Sequence, residues 1–231
     1  MSNHWSFKYT PIPEGARRVT GGEWEKIALA KLDDPKADPE EALWAVIQMY
    51  CGTGRHPVGL GYMEKMVAAA VDPEKKALCY LALGGIMEQV NDYKAAIGWY
   101  RRALGLEPTH SGTWYFINNN LGYCLNHFGK FTEAGNYCRR AIALDGERYN
   151  AHKNLGISLQ GQGLVGEAAR CFVRAVQLEA ADPRALRHLE DLLAENPGLA
   201  TAQLDIFEDL LKCREAVRAV QEEREARMRE G

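Results

Sequence analysis

Apolar residues recur at steps of three and four along most of the chain, and short polar breaks that contain Gly or Asn separate the apolar stretches. The clearest breaks fall at residues 91–92, 129–130 and 161–163. Steps of three and four place side chains on one face of an α-helix, whereas a half-buried strand alternates at every second residue. The pattern therefore predicts an all-α chain whose helices are joined in pairs.

The predicted helical pairs form a repeat. The dipeptide Leu-Gly occurs at 83–84, 121–122 and 155–156, and each copy is followed at constant offsets by an Ala, a larger residue, a second Ala and a Leu. These positions are Ala96, Tyr100, Ala103 and Leu106 in the first copy, Ala134, Cys138, Ala141 and Leu144 in the second, and Ala168, Phe172, Ala175 and Leu178 in the third. The second copy follows the first by 38 residues and the third follows the second by 34. Because four residues make about one helical turn, we expect the second copy's first helix to begin one turn early.

The glycines of the three dipeptides, Gly84, Gly122 and Gly156, stand inside predicted helices. A Gly inside a helix is about 1 kcal/mol less favourable than Ala, so its presence at one register in every copy requires a compensating contact. We expect these glycines to let a neighbouring helix approach closely. The larger residue between the two alanines would then fill the remaining space at the density of a protein interior.

This arrangement resembles the tetratricopeptide repeat, whose signature has Leu-Gly in a first helix, Ala, an aromatic residue and Ala in a second, and a closing Pro. The resemblance spans residues 77–182 and implies three repeats, at 77–110, 115–148 and 149–182. It also implies a right-handed α-α superhelix of stacked antiparallel hairpins. Two features depart from the signature: Pro108 closes only the first copy, and the Trp of the first helix is replaced in turn by Tyr80, Asn118 and His152.

Two segments precede the repeats. Residues 1–22 predict an extended N-terminal arm that is rich in aromatic residues and proline. Residues 23–76 predict an N-terminal helical region, with a degenerate or unrelated hairpin at 39–50 and 60–71 in which only Ala69 keeps the repeat register.

Two further segments follow the repeats. Residues 183–197 predict a capping helix, because Glu190 stands at the Gly position and is too large and charged to pack closely against another repeat. Residues 198–231 predict a long C-terminal helix with a charged tail. Its apolar positions are Leu199, Ile206, Leu210, Cys213, Val217 and Val220. We expect this helix to pack on the repeats, and a dimerising helix is the alternative.

Composition narrows the classes of function. The 231 residues are 46% hydrophobic and 26% charged, as in globular proteins. A net charge of −3 argues against nucleic-acid binding, and no apolar run approaches the roughly 20 residues that a membrane-spanning helix needs. The first residues lack the apolar stretch of a secretory signal, and the six cysteines include no C-x-x-C pair. We therefore expect a cytoplasmic protein with free, buried thiols.

Catalytic and metal-binding motifs are missing from the sequence. Residues 52–61 contain glycines at the spacing of a phosphate loop, but Leu60 and Gly61 stand where that loop needs Lys followed by Ser or Thr. We interpret the segment as a loop between helices. The histidines form no i, i+4 pair and no nucleophile motif is present. The sequence thus predicts no enzyme activity, no cofactor and no metal.

In tetratricopeptide repeats the first helices line a concave face, and the resemblance implies that a partner peptide binds there. The residues that it assigns to this groove are Phe116, Asn119, Asn120, Tyr123, Asn126, His127, Asn150, Lys153, Asn154, Ile157, Gln160, Arg184, Arg187 and His188. An Asn amide both donates and accepts, so it can hold an extended peptide backbone, while Tyr and Phe provide apolar anchors. Replacing Asn120 and Asn154 with Ala should then weaken partner binding and leave the melting temperature nearly unchanged. The alternative is that these residues form ordinary solvated helix faces.

One subset of the family binds C-terminal carboxylates through a clamp of Lys, Asn, Asn, Lys and Arg, and only Asn120 keeps its place in that clamp here. The clamp is therefore disfavoured, although Arg184 and Arg187 favour an acidic peptide. We expect a non-enzymatic interaction adaptor with a protein or peptide partner. The alternatives are a structural protein that forms homo-oligomers through its N-terminal arm or C-terminal helix, a substrate-specific chaperone, and an enzyme with an unfamiliar site.

Overall fold

The structure, a computed structural model of the chain, describes residues 21–34, 36, 45–47, 49–50, 53–202 and 204–230. These residues form α-helices and short connections, and none of them lies in a strand. The chain divides into two units, residues 1–72 and residues 73–231. Residues 1–20, which make up most of the predicted N-terminal arm, lie outside the described part.

The first unit contains helix α1 (Gly21–Asp33), helical residues at 45–47 and 49–50, and helix α2 (His56–Ala69). Its small core contains Ala28, Val46, Met49 and Tyr50. Helix α2 begins four residues before the predicted start at Leu60, with a Pro in its first turn, where the missing N–H costs nothing. Much of the predicted 52–61 loop is therefore helical.

A side-chain cluster links α1 to the residues before α2. The guanidinium of Arg55 pairs with Glu25, with Nη2 2.8 Å from Oε2, and the hydroxyl of Tyr50 donates to Oε1 of Glu25 at 2.9 Å. The same guanidinium lies 4.7 Å from the ring centre of Tyr50. These contacts lower the pKa of Glu25 and raise that of Tyr50.

The second unit consists of successive helices joined by short turns. They are α3 (Pro73–Gln89), α4 (Tyr93–Leu104), α5 (Ser111–His127), α6 (Phe131–Leu144), α7 (Tyr149–Gly161), α8 (Val165–Leu178), α9 (Arg184–Glu195), α10 (Pro197–Ala202) and α11 (Leu204–Glu230). Helices α3 and α4, α5 and α6, and α7 and α8 pack as hairpins, and each hairpin also packs against the next. The described part of this unit thus has the stacked hairpins that the repeat predicts.

The close contacts within the hairpins follow the predicted Gly register. A Cβ added to Gly84 would lie less than 3.0 Å from the ring of Tyr100, and one added to Gly156 would meet the ring of Phe172 equally closely. A Cβ added to Gly122 would meet the Sγ of Cys138 at a similar distance. Since each of the three larger side chains is fully buried, the predicted close packing is confirmed.

The turn inside each hairpin uses a left-handed residue at the same position. Asn91, Gly129 and Gly163 have φ angles of 60°, 65° and 76°. Gly adopts this region freely and Asn tolerates it better than most residues, which explains why these types mark the breaks in the sequence.

Helix α5 begins one turn earlier than α7, as predicted, and α3 has the same length as α5. Helix α5 has 17 residues and α7 has 13, and the added turn lies at the N-terminus of α5. The carboxylate of Glu74, in the first turn of α3, accepts hydrogen bonds from Thr109, His110 and Thr113 at 2.6–3.2 Å. The added turn is therefore fastened to the preceding repeat.

The C-terminal helices close the unit. Helix α11 packs against α8, α9 and α10, and its residues Ile206, Leu210, Cys213 and Val217 are buried in a common apolar cluster. Glu190 of α9 stands at the position that Gly occupies in the three repeats, and it accepts a hydrogen bond from Arg214 of α11 at 2.7 Å. The predicted apolar face is thus buried against the repeats. Among the helices described, none is both long and apolar enough to cross a membrane.

Candidate partner-binding site

The first helices of successive hairpins form a continuous layer. Helix α3 contacts α5, α5 contacts α7, and α7 contacts α9. We call these four helices the first-helix layer. The groove residues predicted from the sequence all lie on α5, α7 and α9, so the structure brings them to adjacent helices.

A chain of hydrogen bonds, here called the polar seam, crosses this layer. Oε1 of Glu88 accepts from the Tyr100 hydroxyl at 2.6 Å, and that hydroxyl accepts from Nδ2 of Asn120 at 3.2 Å. Nδ2 of Asn119 donates to Oδ1 of Asn120 at 2.9 Å, and Nδ2 of Asn154 donates to Oδ1 of Asn119 at 3.0 Å. These five side chains link α3, α4, α5 and α7.

A second group of hydrogen bonds joins α5 to α7. Nδ2 of Asn126 donates to the backbone carbonyl of Asn154 at 2.8 Å. Oγ of Ser158 lies 2.9 Å from both Oδ1 of Asn126 and the same carbonyl, so its hydroxyl donates to one of the two. Asn119, Asn154 and Ser158 are buried. The amides predicted to hold a peptide therefore already hold neighbouring helices together.

This placement changes the expectation for stability. Asn120 is half-buried and Asn154 is buried, and both side chains belong to the polar seam. Removing a partner from a buried hydrogen bond leaves the other group unpaired, which costs about 1–3 kcal/mol. In contrast to the expectation from the sequence, we therefore predict that replacing the two asparagines lowers the stability.

Burial controls the protonation of the seam's first members. Burial raises the pKa of Glu88, although the hydrogen bonds that Tyr100 and Cys124 donate to its carboxylate act to lower that pKa. It also raises the pKa of the Tyr100 hydroxyl well above its ordinary value and that of the Cys124 thiol. The phenol and the thiol therefore keep their protons and act as donors to Glu88.

A basic cluster lies where α7 meets α9. Lys153 is only 6% exposed, and its Nζ lies 3.5 Å from Oδ1 of Asn150 and 5.8 Å from the ring centre of Tyr149. Burial and, to a lesser degree, Arg184 lower the pKa of Lys153 to about 8. The charge of Asp182 acts in the opposite direction and raises the pKa, but Asp182 pairs with Arg184, and no carboxylate among the described residues forms an ion pair with the Lys153 ammonium. Lys153 is thus a buried cation with a single long hydrogen bond.

The neighbours of Lys153 have partners of their own. Nε of Arg184 lies 2.8 and 2.9 Å from the two carboxylate oxygens of Asp182, and its Nη2 lies 3.4 Å from the Tyr149 hydroxyl. The ring of His188 stacks on Phe172 with centres 5.3 Å apart. Burial and the charge of Lys153 lower the pKa of His188, so the imidazole is neutral at pH 7. Arg187 is exposed beside them on α9.

An aromatic cluster lies at the other end of the predicted set. Tyr93 of α4 stacks on His127 with ring centres 3.9 Å apart, and Tyr123 meets His127 edge-on at 4.7 Å. Tyr93 and Tyr123 are half-buried and His127 is exposed. These rings form a partly open apolar surface of the kind that anchors binding partners.

The remaining predicted residues are more scattered. Phe116 packs edge-on against Tyr115, and the guanidinium of Arg148 lies 5.0 Å from its ring centre. Ile157 packs against the apolar cluster of α8 and α9, and Gln160 is half-buried.

The sequence pointed to some members of this site and missed others. Glu88 stands at the same repeat position as Asn126 and Gln160 of the predicted groove, so comparison of the three copies at that position identifies it as a candidate. The sequence predicts Tyr100 only as a ring that fills space between the helices, and nothing in the pattern shows where its hydroxyl points.

The cysteines behave as core residues. Cys124, Cys138 and Cys213 are buried free thiols and Cys171 is a half-buried one, which confirms the prediction for these four, and Cys79 is also buried. Burial raises the pKa of Cys138 to about 12 and those of Cys171 and Cys213 to about 11, so these thiols are protonated and unreactive at neutral pH. Within the described ranges, no three His, Cys, Asp or Glu side chains are grouped to hold a metal ion.

Comparison with known families identifies the repeat. Models of the tetratricopeptide repeat match residues 78–111 and 117–148, which contain most of the first two hairpins. The chain therefore contains tetratricopeptide repeats. Its third hairpin, α7 and α8, has the same Gly-to-ring contact as the first.

Relatives of known sequence carry the same repeat. Human tetratricopeptide repeat protein 7B is 26% identical over 173 residues, which are 73% of this chain and 20% of the human protein. The chain thus spans about one fifth of the length of this relative.

Solved structures share the fold. MamA from Desulfovibrio magneticus RS-1, from residue 41 to its end, superimposes with a TM-score of 0.62 at 18% identity, over 79% of this chain and 97% of MamA. BtubC from P. vanneervenii superimposes with a TM-score of 0.64 at 17% identity, over 91% of each chain. At such identities the likeness establishes a tetratricopeptide fold.

Proposed function

We propose that this chain is a non-enzymatic adaptor that binds a segment of a partner protein along the first-helix layer. The observation that carries the proposal is the buried ammonium of Lys153, which forms no ion pair among the described residues. An unpaired buried charge is costly, so such a group in a binding layer favours an anionic ligand. The partner segment would present an Asp or Glu carboxylate to Lys153.

The surroundings of Lys153 support a carboxylate at this position. Arg187 is exposed on α9 and adds positive potential, whereas Arg184 is already engaged by Asp182. The amide of Asn150 lies 3.5 Å from Nζ and can turn its donor toward an arriving oxygen.

The aromatic cluster supplies the second part of the proposed site. Tyr93, Tyr123 and His127 offer partly open rings, and aromatic side chains are frequent energetic anchors in protein interfaces. A bound segment would therefore combine an apolar residue against these rings with an acidic residue at Lys153. The polar seam would hold the helices at fixed spacing rather than contact the partner.

Selection from a phage-displayed library of random peptides tests this function. We expect peptides enriched in Asp or Glu beside an apolar residue, and at least tenfold weaker binding of those peptides to the Lys153→Met variant. Lys94→Met, which replaces an exposed lysine on α4, is the matched control and should bind like the wild type. Selected peptides that lack acidic residues, or equal binding by both variants, would contradict the proposal.

Self-association is a second candidate function, supported by one observation. Phe207 and Leu211 of α11 are 44% and 49% exposed and stand one turn apart, beside the buried apolar face of that helix. If two copies pair through this surface, the mass measured by light scattering should rise with concentration. The Phe207→Ser, Leu211→Ser double variant should keep the mass of a monomer. A constant monomer mass would exclude the pairing.

A further inference from the structure

One position of the repeat is filled differently in the second copy. Three residues before each Leu-Gly pair, the copies carry Tyr80, Asn118 and His152. The ring of Tyr80 stacks on Trp99 with centres 5.6 Å apart, and Nε2 of His152 lies 2.9 Å from the carbonyl oxygen of Gly146. In the first and third repeats an aromatic ring thus occupies this position.

The second repeat has an open groove at this position. The groove is shallow and open to solvent, has a volume of about 420 Å³ and is lined by Trp114, Asn118, Arg140, Ala143 and Leu144. Most of this lining is apolar, and Leu144 is 42% exposed. The missing ring leaves space that the fold does not fill.

The surroundings of the groove match the filled position in the first repeat. There, the guanidinium of Arg102 lies 4.5 Å from the ring centre of Trp99, on which Tyr80 stacks. At the same positions in the second repeat, Arg140 lies 5.4 Å from the ring centre of Tyr137. The second repeat keeps the pair of arginine and aromatic ring and has Asn118 where the additional ring stands.

Asn118 also has an unused hydrogen-bonding atom. The residue is 2% exposed, and its Nδ2 donates to the carbonyl of Trp114 at 2.8 Å. Its Oδ1 is buried and accepts no hydrogen bond from any residue that the structure describes. Buried polar atoms are normally paired, so a rotation of the Asn118 side chain toward the groove would let this acceptor bond to a ligand with a hydrogen-bond donor.

We propose that this groove receives a tryptophan side chain from a partner polypeptide. The indole ring would occupy the place that a ring fills in the other two repeats, between apolar walls and beside the guanidinium of Arg140. The indole N–H is a donor only, which suits the unpaired Oδ1 of Asn118. The volume exceeds that of one indole and leaves room for the adjoining backbone. The groove lies between α5 and α6, and its lining does not include Lys153.

Titration of the full chain with N-acetyl-L-tryptophanamide, followed by amide NMR shifts, tests the proposal. We expect saturable shifts centred on the groove, and at least threefold weaker binding of N-acetyl-L-phenylalaninamide, whose ring has no polar hydrogen. Equal affinity for both compounds, shifts centred elsewhere, or no saturation up to the solubility limit would overturn it.

Two variants that fill the groove sharpen the test. Asn118→Tyr installs the residue of the first repeat, and Ala143→Arg places a long side chain at an exposed residue of the groove lining. Each should weaken tryptophanamide binding at least tenfold, without lowering the melting temperature in the case of Ala143→Arg. Ala219→Arg, at an exposed position of α11, is the control and should bind normally. Full binding by both groove variants would refute the assignment.

Discussion

The interior of each hairpin and the seam between hairpins are held together in different ways. Inside the hairpins, Gly84 and Gly156 face the rings of Tyr100 and Phe172 so closely that even a methyl group does not fit. Between hairpins α5 and α7, buried amides and a hydroxyl exchange hydrogen bonds. The first contact depends mainly on shape, whereas the second depends on hydrogen bonds between buried side chains, in which Oδ1 of Asn154 accepts none from a described residue.

The difference teaches where this protein tolerates change. A shape contact is lost when volume is added, and a hydrogen-bonded contact is lost when one partner is removed. The two regions therefore respond to opposite kinds of substitution, which makes their contributions separable by experiment.

The largest expected effect is on the hairpin interior. Gly156→Leu should destabilise the folded chain by about 3 kcal/mol, because the new side chain collides with the fully buried ring of Phe172. Urea unfolding followed by circular dichroism measures the change. Gly98 is the control, since a Cβ there meets nothing within 4 Å and Gly98→Ala should stabilise α4 by about 0.5–1 kcal/mol. Equal effects at both positions would remove the basis for the Gly register.

A smaller effect is expected at the polar seam. Asn154→Ala should destabilise the chain by about 1–3 kcal/mol, because Oδ1 of Asn119 loses its donor while it stays buried. Gln160→Ala, on the same helix, should change the stability by less than about 0.5 kcal/mol. The same unfolding measurement applies. If Asn154→Ala were neutral, the seam would not hold α5 against α7.

The smallest expected effect separates binding from stability at Lys153. Lys153→Met should stabilise the free protein by about 1–2 kcal/mol at pH 7. Removing the buried charge contributes about 3 kcal/mol, and the lost hydrogen bond to Asn150 offsets part of this gain. The same change should weaken partner binding, so stability and function would move in opposite directions.

The pH dependence checks the cause of that gain. Burial lowers the pKa of Lys153 from 10.5 in the unfolded chain to about 8 in the folded one. Between these values only the unfolded chain holds the proton, so wild-type stability rises with pH relative to the Met variant. The difference in the free energy of unfolding between the Met variant and the wild type should be largest below pH 8 and should decrease toward zero as the pH approaches 10.5. A difference that does not vary with pH would assign the effect to packing.

The hairpins were predictable from the sequence because the patterns that specify them are local. The helix period, the left-handed turn residues and the small residue at every Leu-Gly pair are all consequences of contacts between positions at short, constant spacing. The start of α2 was missed because Gly59 and Gly61, which favour a loop, lie inside a helix whose first turn contains a Pro.

The sequence predicted only part of the candidate site. The repeat register placed Asn119, Asn120 and Asn154 on the first-helix layer, yet it could not show that their amides pair with each other. The direction of an amide depends on the helix beside it, which lies about 35 residues away in the chain.

The sequence by itself determined the repeated helical pairs, the residues that must be small and the absence of a recognisable catalytic motif. Only the tertiary structure decided that the asparagines join helices, that Lys153 is buried with no ion pair to any described carboxylate, and that the second repeat leaves a ring-sized groove at Asn118. The physical reason is that helix period and Gly position depend on the chain's own backbone geometry. The pairing of buried charges and amides depends on atoms that meet only after the hairpins stack.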